Sequence, residues 1–229
     1  MNNETMITDF GVAVVVDDWA LSKYIINDRR LDVSDDEISS LKPHIPEGSI
    51  VLDIGACLGS HSASYSKLVG PTGFVHSFEP HDIAYKCLEH NMKAYNNVAT
   101  YNLALGSKEG TGSTVRLPNL GASRNILDVD GTVSIWTLDK VCRYFDKVDF
   151  IKLDVEGSEP EVLDGAKETI NRFRPIMLIE VNKAQLEVRG MQRSEIYNRL
   201  NDLKYTYVVT NGLAFEDDQI DILCFPGKR

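Results

Sequence analysis

From residue 50 onward, short apolar runs alternate with segments whose apolar positions recur at helical spacing. The runs are IVLDI (50–54), FVHSF (74–78), VATYNLAL (98–105), FIKLD (150–154) and IMLIEV (176–181). They are rich in Val, Ile and Leu and alternate little, as strands buried on both faces do. Helices are expected near 60–69, 82–95 and 159–173. Ala84, Leu88, Met92 and Tyr95 share a face of the second, and Val162, Leu163, Ala166 and Ile170 line the third. Such alternation predicts an α/β fold: a mostly parallel sheet with right-handed crossovers and helices on both faces. The chain's end departs from it. After a helix near 193–203, YTYVVT (205–210) and DILCF (221–225) are joined by NGLAFEDDQI, which has no room for a crossover helix. The last strand should therefore run antiparallel.

Two regions stand outside the alternation. Residues 1–48 read as an N-terminal cap, with a helix near 35–44 opened by the capping-type sequence SDDE; residues 49–229 form the main domain. Between 106 and 135, Gly106, Gly110, Gly112, Gly121 and Gly131 punctuate β-like pieces such as STVRLP and TVSIW. This segment is expected to be an excursion on the substrate side of the sheet, in the form of a hairpin.

Charge narrows the partners. The net charge is −10, and residues 1–49 hold ten acids against four bases, so 10 − 4 places −6 of it there. An acidic surface repels phosphate backbones, and no Lys/Arg-rich run with interleaved aromatics offers a groove, so nucleic acid is not an expected partner. No apolar stretch approaches the roughly 18 residues that span a bilayer, and the N-terminus lacks the basic start and long apolar run of a secretory signal. No membrane partner and a cytoplasmic location are expected; association of copies of the chain stays open. Cys57, Cys87, Cys142 and Cys224 are scattered with no metal spacing and read as free thiols.

The chemistry centres on DIGACLG (53–59). Ligands of open α/β sheets sit beyond the carboxyl ends of the strands, where strand order reverses. Gly55 and Gly59 let backbone approach a ligand there, and valine at either is expected to block the ligand while sparing the fold. Glu79 ends the second strand 24 residues after Gly55, a spacing suited to a carboxylate that accepts from two ribose hydroxyls. A dinucleotide site wants a glycine where Cys57 stands, because its side chain would crowd a diphosphate. S-adenosylmethionine has no phosphate, needs the same ribose acid, and carries cationic groups that tolerate acids. A nicotinamide-dependent oxidoreductase on a related sheet and a non-catalytic binding module remain the alternatives.

The ordered set DIGACLGSHS, FEP, NLALGS, TLD, IKLDVEGSEPEVLDGA and RPIMLIEV resembles the FkbM-type family of S-adenosylmethionine-dependent methyltransferases, over about residues 50–181. The resemblance implies the Rossmann-like class I methyltransferase fold, a seven-stranded sheet whose last strand is antiparallel. It implies S-adenosylmethionine as cofactor, with Asp53, Gly55, Ala56 and Gly59 along its methionine part and Glu79 at the ribose. Asn102 and Ala104 would approach the adenine. It also implies O-methylation of a hydroxyl on a small molecule such as a sugar or natural product.

At the reacting end, Asp154 and Glu156 leave the fourth strand in DVEG, and Glu180 and Asn182 leave the fifth with the same spacing. A hydroxyl acceptor must lose its proton, so Asp154, Glu156 and Glu180 are the candidate catalytic carboxylates. Asp154, Glu180 and Asn182 also offer hard oxygen ligands for Mg²⁺, similar in outline to metal-dependent catechol methyltransferases. His61 reads as a packing residue, Asp139 as either a helix cap or a site residue, and Trp19 and Trp136 as core, with a place lining a substrate pocket as the alternative.

Overall fold

A computed structural model describes residues 4–18, 20–115, 124–127, 131–210 and 213–228; Trp19 lies outside them. Its central sheet has strands β1 (Ile50–Ile54), β2 (Phe74–Phe78), β3 (Val98–Tyr101), β4 (Phe150–Leu153), β5 (Ile176–Asn182), β6 (Tyr205–Val209) and β7 (Gln219–Pro226). Their order is β3-β2-β1-β4-β5-β7-β6. Strands β1 to β5 pair in parallel, and β7 runs antiparallel to both β5 and β6. Strand order reverses between β1 and β4, so the ligand crevice is expected at their carboxyl ends.

Register decides which residues share that crevice. Asp53 of β1 lies beside Ser77 of β2 and Lys152 of β4, and Lys152 lies beside Leu178 of β5. Side chains two apart on a strand point the same way, so Val51, Val75, Phe150 and Leu178 share the face of Asp53 and Lys152. That face packs on Tyr65 and Val69 of helix α1 (Ser60–Val69) and on Leu41 and Ile45 of the N-terminal segment. The opposite face, with Leu52, Ile54, Ile151, Leu153 and Ile179, holds the largest apolar cluster. One face is thus apolar to the end of the strands, and the other turns polar as it reaches the crevice.

Helix α1 is serine-rich because its serines are spent on neighbours. Ser62 Oγ donates to Asp53 Oδ2 at 2.5 Å, and Ser64 Oγ accepts from Val33 N at 3.1 Å. The N-terminal segment is a hairpin of Thr5–Ile7 and Ala13–Val15, followed by helical stretches at Leu21–Asp28 and Asp35–Leu41. Helix α2 (Asp82–Met92) fastens it to the main domain: Asn91 accepts from Ala13 N at 2.7 Å and donates to Ala13 O and Leu58 O at 3.0 and 2.9 Å.

Four expectations need correction. VATYNLAL does not stay in one strand. Asn102 Nδ2 donates to the Glu79 and Pro80 carbonyls, the chain leaves the sheet after Tyr101, and Ala104–Leu105 joins a second sheet. The 106–135 segment is accordingly more than a hairpin: Ala104–Leu105, Val133–Trp136, Gly110–Val115 and Arg124–Leu127 form four strands in that order. Trp136 is not core; it is 40% exposed, with Lys140 Nζ 4.2 Å above its ring.

The helix expected over 159–173 breaks into α3 (Glu159–Asp164) and α4 (Lys167–Phe173). At Gly165 the carbonyl of Gly106 comes so close that a Cβ would lie 2.0 Å from it. Asp139, from the neighbouring helix Leu138–Val141, meets the start of the second half, accepting from Glu168 N at 3.1 Å and Thr169 N at 2.7 Å. This is a cap, and Asp139→Ala should cost about 1 kcal/mol in urea denaturation, the usual worth of a lost cap. Unchanged stability would remove the assignment.

Helices α5 (Lys183–Val188) and α6 (Arg193–Asp202) complete the domain. Among the described residues no helix is long and apolar enough to cross a membrane, and the four cysteines are free.

Candidate active site

Strand β1 gives way to a turn in which Gly55, Cys57 and Gly59 all adopt positive φ, at 86°, 48° and 97°. The N–H groups of Gly55 and Ala56 both donate to the Phe78 carbonyl at 3.0 Å, folding the turn over the end of β2. A Cβ on Gly55 would sit 1.7 Å from the Asp154 carbonyl oxygen, so the glycine is required by backbone meeting backbone. A Cβ on Gly59 would meet Met92 Cε at 2.7 Å and Leu88 Cδ1 at 3.0 Å. Neither missing side chain opens onto ligand space. The expectation that valine would spare the fold is overturned at Gly55, where the obstacle is backbone; at Gly59 the obstacles are the flexible ends of Met92 and Leu88.

Glu79 is buried beneath this turn. Its Oε2 accepts from Cys57 N at 2.9 Å and its Oε1 from His81 N at 2.8 Å. Burial pushes the carboxyl up to about 7, against the opposing pull of those two donors and of Lys152. Each oxygen keeps acceptor capacity beyond the one N–H it already holds. Asn102 braces this strand end from behind, while Ala104 is buried against Val133 and Ile135 and lines a small hollow with Ser158, Glu161 and Arg189.

Two cavities meet beside the turn. One, of about 310 Å³, is bounded by Gly55, Ala56, Cys57 and Ser60 and roofed by Leu21, Tyr24 and Val33 of the N-terminal segment. The other, of about 150 Å³, lies between Ser40 and Leu41 on one side and Glu180, Thr210 and Asp221 on the other. His61, Lys152 and Asp154 line both. His61, read from sequence as packing, thus stands at the junction with its ring 5.8 Å from that of Tyr65.

Lys152 projects from β4 on the face shared with Asp53 and Asp154. Its Nζ lies 2.9 Å from Asp154 Oδ2, 3.4 Å from Gly55 O and 3.9 Å from Asp53 Oδ1. Burial by itself would drive this ammonium down, but Asp154 and Asp53 more than offset it and hold the group above its ordinary value. Asp53 is fully buried; Ser62 serves Oδ2, and Oδ1 accepts no hydrogen bond and faces Lys152.

The DVEG segment turns sharply, with Glu156 at φ 53° and Gly157 at φ 92°. Glu159 pins it by accepting from Val155 N at 3.0 Å and Gly157 N at 3.1 Å. One oxygen each of Asp154, Glu156 and Glu180 then lie within 4.8 Å of one another. Glu180 Oε1 accepts from Gln219 Nε2 at 2.6 Å, whereas its Oε2 is buried without a hydrogen bond. Burial first, then Asp154, Glu156 and Asp221, pushes Glu180 up to about 10.

Asn182 has a further engagement: its Oδ1 caps α5, accepting from Gln185 N at 3.3 Å. Lys152 and Glu159 are the residues sequence reasoning passed over. The signal for the lysine was a lone charge inside the apolar run FIKLD; Glu159 carried none that separates it from an ordinary first-turn acid.

A turn at the reversal point, a strand-end carboxylate beneath it and an acid-lined cavity alongside can be set against known proteins. A model of the methyltransferase FkbM domain matches residues 53–207. The 2-O-methyltransferase NoeI of Sinorhizobium fredii (strain NBRC 101917 / NGR234) is 26% identical over 168 residues, 62% of this chain and 69% of that protein. Among solved structures, methyltransferase FkbM from Methylobacillus flagellatus KT superposes with a TM-score of 0.53 at 20% identity. The match covers 78% of this chain but only 44% of that longer one. A SAM-dependent O-methyltransferase from Thermotoga maritima gives a TM-score of 0.51 at 15% identity, over 99% of this chain and 78% of that one. The two structures speak for the class I fold, the family match spans most of the chain, and the chain belongs to the FkbM methyltransferase family.

Proposed function

We propose that this chain transfers a methyl group from S-adenosylmethionine to a hydroxyl oxygen of a small molecule such as a sugar. The observation that carries the reading is the junction of the two cavities: the glycine-turn cavity opens, at His61, Lys152 and Asp154, onto one walled by Glu180, Thr210 and Asp221. The cofactor fits the first on three counts. The cavity is of ligand size, its turn brings backbone to the surface, and Glu79, behind the turn and outside the cavity's lining, accepts from Cys57 N and keeps acceptor capacity for ribose hydroxyls. Gly55, Ala56 and Cys57 would hold the methionine part, with Asp53 fixing the turn from below. Bound there, the cofactor supplies an electrophilic methyl on a sulfonium, whose S–C bond breaks with its electrons kept by sulfur as the acceptor oxygen bonds the carbon.

The chain's own residues then have two tasks. They must hold the acceptor oxygen in line, within about 3–3.5 Å of the carbon it attacks, where positioning carries much of the rate. They must also take its proton. Glu180, pushed up to about 10, keeps a proton at neutral pH and can donate a hydrogen bond to the acceptor. Asp154, at the junction, is the carboxylate positioned to receive the hydroxyl proton, with Glu156 beside it. Asp154→Asn and Glu180→Gln should each lower turnover by about a hundredfold, the lower end for acid–base groups, while affinity for S-adenosylhomocysteine stays within about threefold. Wild-type turnover in both variants would leave positioning alone as the catalytic device.

A second reading has its own observation. The close approach of Asp154, Glu156 and Glu180 suits a divalent cation such as Mg²⁺, which would stabilise the alkoxide directly. Full activity in excess EDTA would dispose of it. The overall test is calorimetric titration with S-adenosylhomocysteine, followed by incubation with S-adenosylmethionine and a panel of methyl glycosides. Mass spectrometry should show a gain of one CH₂ on a glycoside. Preference for NADH over S-adenosylhomocysteine would overturn the reading, and cofactor uptake without any transfer would favour a binding module.

A further inference from the structure

We propose that Lys152 sets the charge of the cofactor cavity and positions Asp154 within it. The inference rests on the methyltransferase reading above and goes beyond it by giving a role to a residue outside the acid–base set.

The argument begins with the strand. Phe150, Ile151 and Leu153 are buried and apolar, as a central strand demands, yet Lys152 between them is only 5% exposed and carries a charge. A buried ammonium is costly unless it is paired. Here the pairing follows from register and from strand period: Asp53 is its neighbour on β1, and Asp154 lies two residues on, facing the same way. The short contact, 2.9 Å, is to Asp154; those to Gly55 O and Asp53 are 3.4 and 3.9 Å. With Ser62 holding Asp53 and Tyr65 packed on the same face, the ammonium is fixed in place. It is a point charge at the boundary of both cavities.

A fixed cation there acts differently on the two forms of the cofactor. S-adenosylmethionine brings a positive sulfonium; S-adenosylhomocysteine is the same molecule without that charge. Asp154 alone would favour the cationic form, and Lys152 opposes it. By balancing Asp154, Lys152 keeps the cavity from holding the reactant too tightly. That matters because stabilisation given to the ground state and absent from the transition state, where the charge is fading, slows the chemistry.

The test needs no acceptor. Wild type, Lys152→Met, Asp154→Asn and the double variant are titrated by calorimetry with S-adenosylmethionine and with S-adenosylhomocysteine. Lys152→Met should shift the ratio of the two affinities about fivefold or more toward the cationic ligand, the scale of a charge pair in a partly screened site. Asp154→Asn should shift it the other way, the double variant should return it to within about twofold of wild type, and Lys152→Arg should leave it in place. Equal weakening of both ligands by Lys152→Met is the mark of a merely structural lysine and would overturn the proposal. If Lys152→Met does not fold, the same shift is read between Asp53→Asn and Asp53→Asn/Lys152→Met, where the fully buried carboxylate is gone and only the partly exposed Asp154 still faces the missing ammonium. Wild-type protein that takes up neither ligand would overturn the methyltransferase reading and this inference together; wild-type binding with an unmoved ratio would overturn this inference alone.

Discussion

Gly55→Ala should destabilise the protein by several kcal/mol, and Gly55→Val should prevent stable folding. A Cβ at this position would lie 1.7 Å from the Asp154 carbonyl oxygen and 2.8 Å from its carbon, both backbone atoms. No rotamer change relieves that contact; the ends of β1 and β4 would have to separate. The backbone at Gly55 adds its own penalty, because φ is 86° and L side chains disfavour that region by about 1–2 kcal/mol. Overpacking typically adds about 1–3 kcal/mol, and the sum is a large part of the roughly 5–15 kcal/mol that holds a domain folded. Gly59→Ala is the control. Its φ is equally unusual, but its Cβ would meet the flexible ends of Met92 and Leu88, so the loss should be nearer the conformational penalty alone. Urea denaturation of both alanine variants separates the cases. Wild-type stability in Gly55→Ala would show that the turn tolerates a side chain and would remove the close-approach argument.

The Gly55 result marks where the sequence was a good guide and where it stopped. That a glycine was needed after β1 was legible, because an apolar run breaking into DIGACLG has few other uses. Why it was needed was not. The obstacle is the carbonyl of Asp154, almost a hundred positions away in the chain, and it becomes a neighbour only through β1–β4 pairing. The same division recurs elsewhere. Strands buried on both faces announce themselves by composition, so β1, β2, β4 and β5 fall close to the expected positions. The break between α3 and α4 depends on the approach of Gly106 to Gly165, and the helical pattern of Val162, Leu163, Ala166 and Ile170 continues across it without a sign. In the site, period-two spacing assumed an extended chain after β4, whereas Glu156 reaches Asp154 and Glu180 through a turn with φ 53°. The same spacing put forward Asn182 without revealing that its side chain caps the next helix. Lys152 was hidden for a related reason: one of its two carboxylate partners, Asp53, reaches it only across the sheet.

Glu79→Ala should weaken S-adenosylhomocysteine binding by roughly 1.5–3 kcal/mol, the scale of hydrogen bonds to a charged group, and lower stability as well. The second effect arises because Glu79 Oε2 and Oε1 accept from Cys57 N and His81 N, which alanine would leave without these acceptors. Glu79→Gln separates the two contributions, since an amide keeps one acceptor oxygen but does not ionise. Its pH behaviour is the sharper test. In the folded, ligand-free protein Glu79 is pushed up to about 7 from an ordinary value of 4.5, chiefly by burial. The folded state therefore holds this proton more tightly than the unfolded chain. Its contribution to stability is greatest below about pH 4.5 and is lost as pH rises through about 7. Ligand binding has the opposite sign. Ribose hydroxyls donate to the ionised carboxylate, so affinity should rise between pH 6 and 8 as the proton leaves. Calorimetry across that range should show tighter binding at the alkaline end for wild type and a flat profile for Glu79→Gln. A wild-type affinity independent of pH, together with undiminished binding in Glu79→Ala, would mean that the ribose is held elsewhere and that Glu79 serves only the two backbone N–H groups above it.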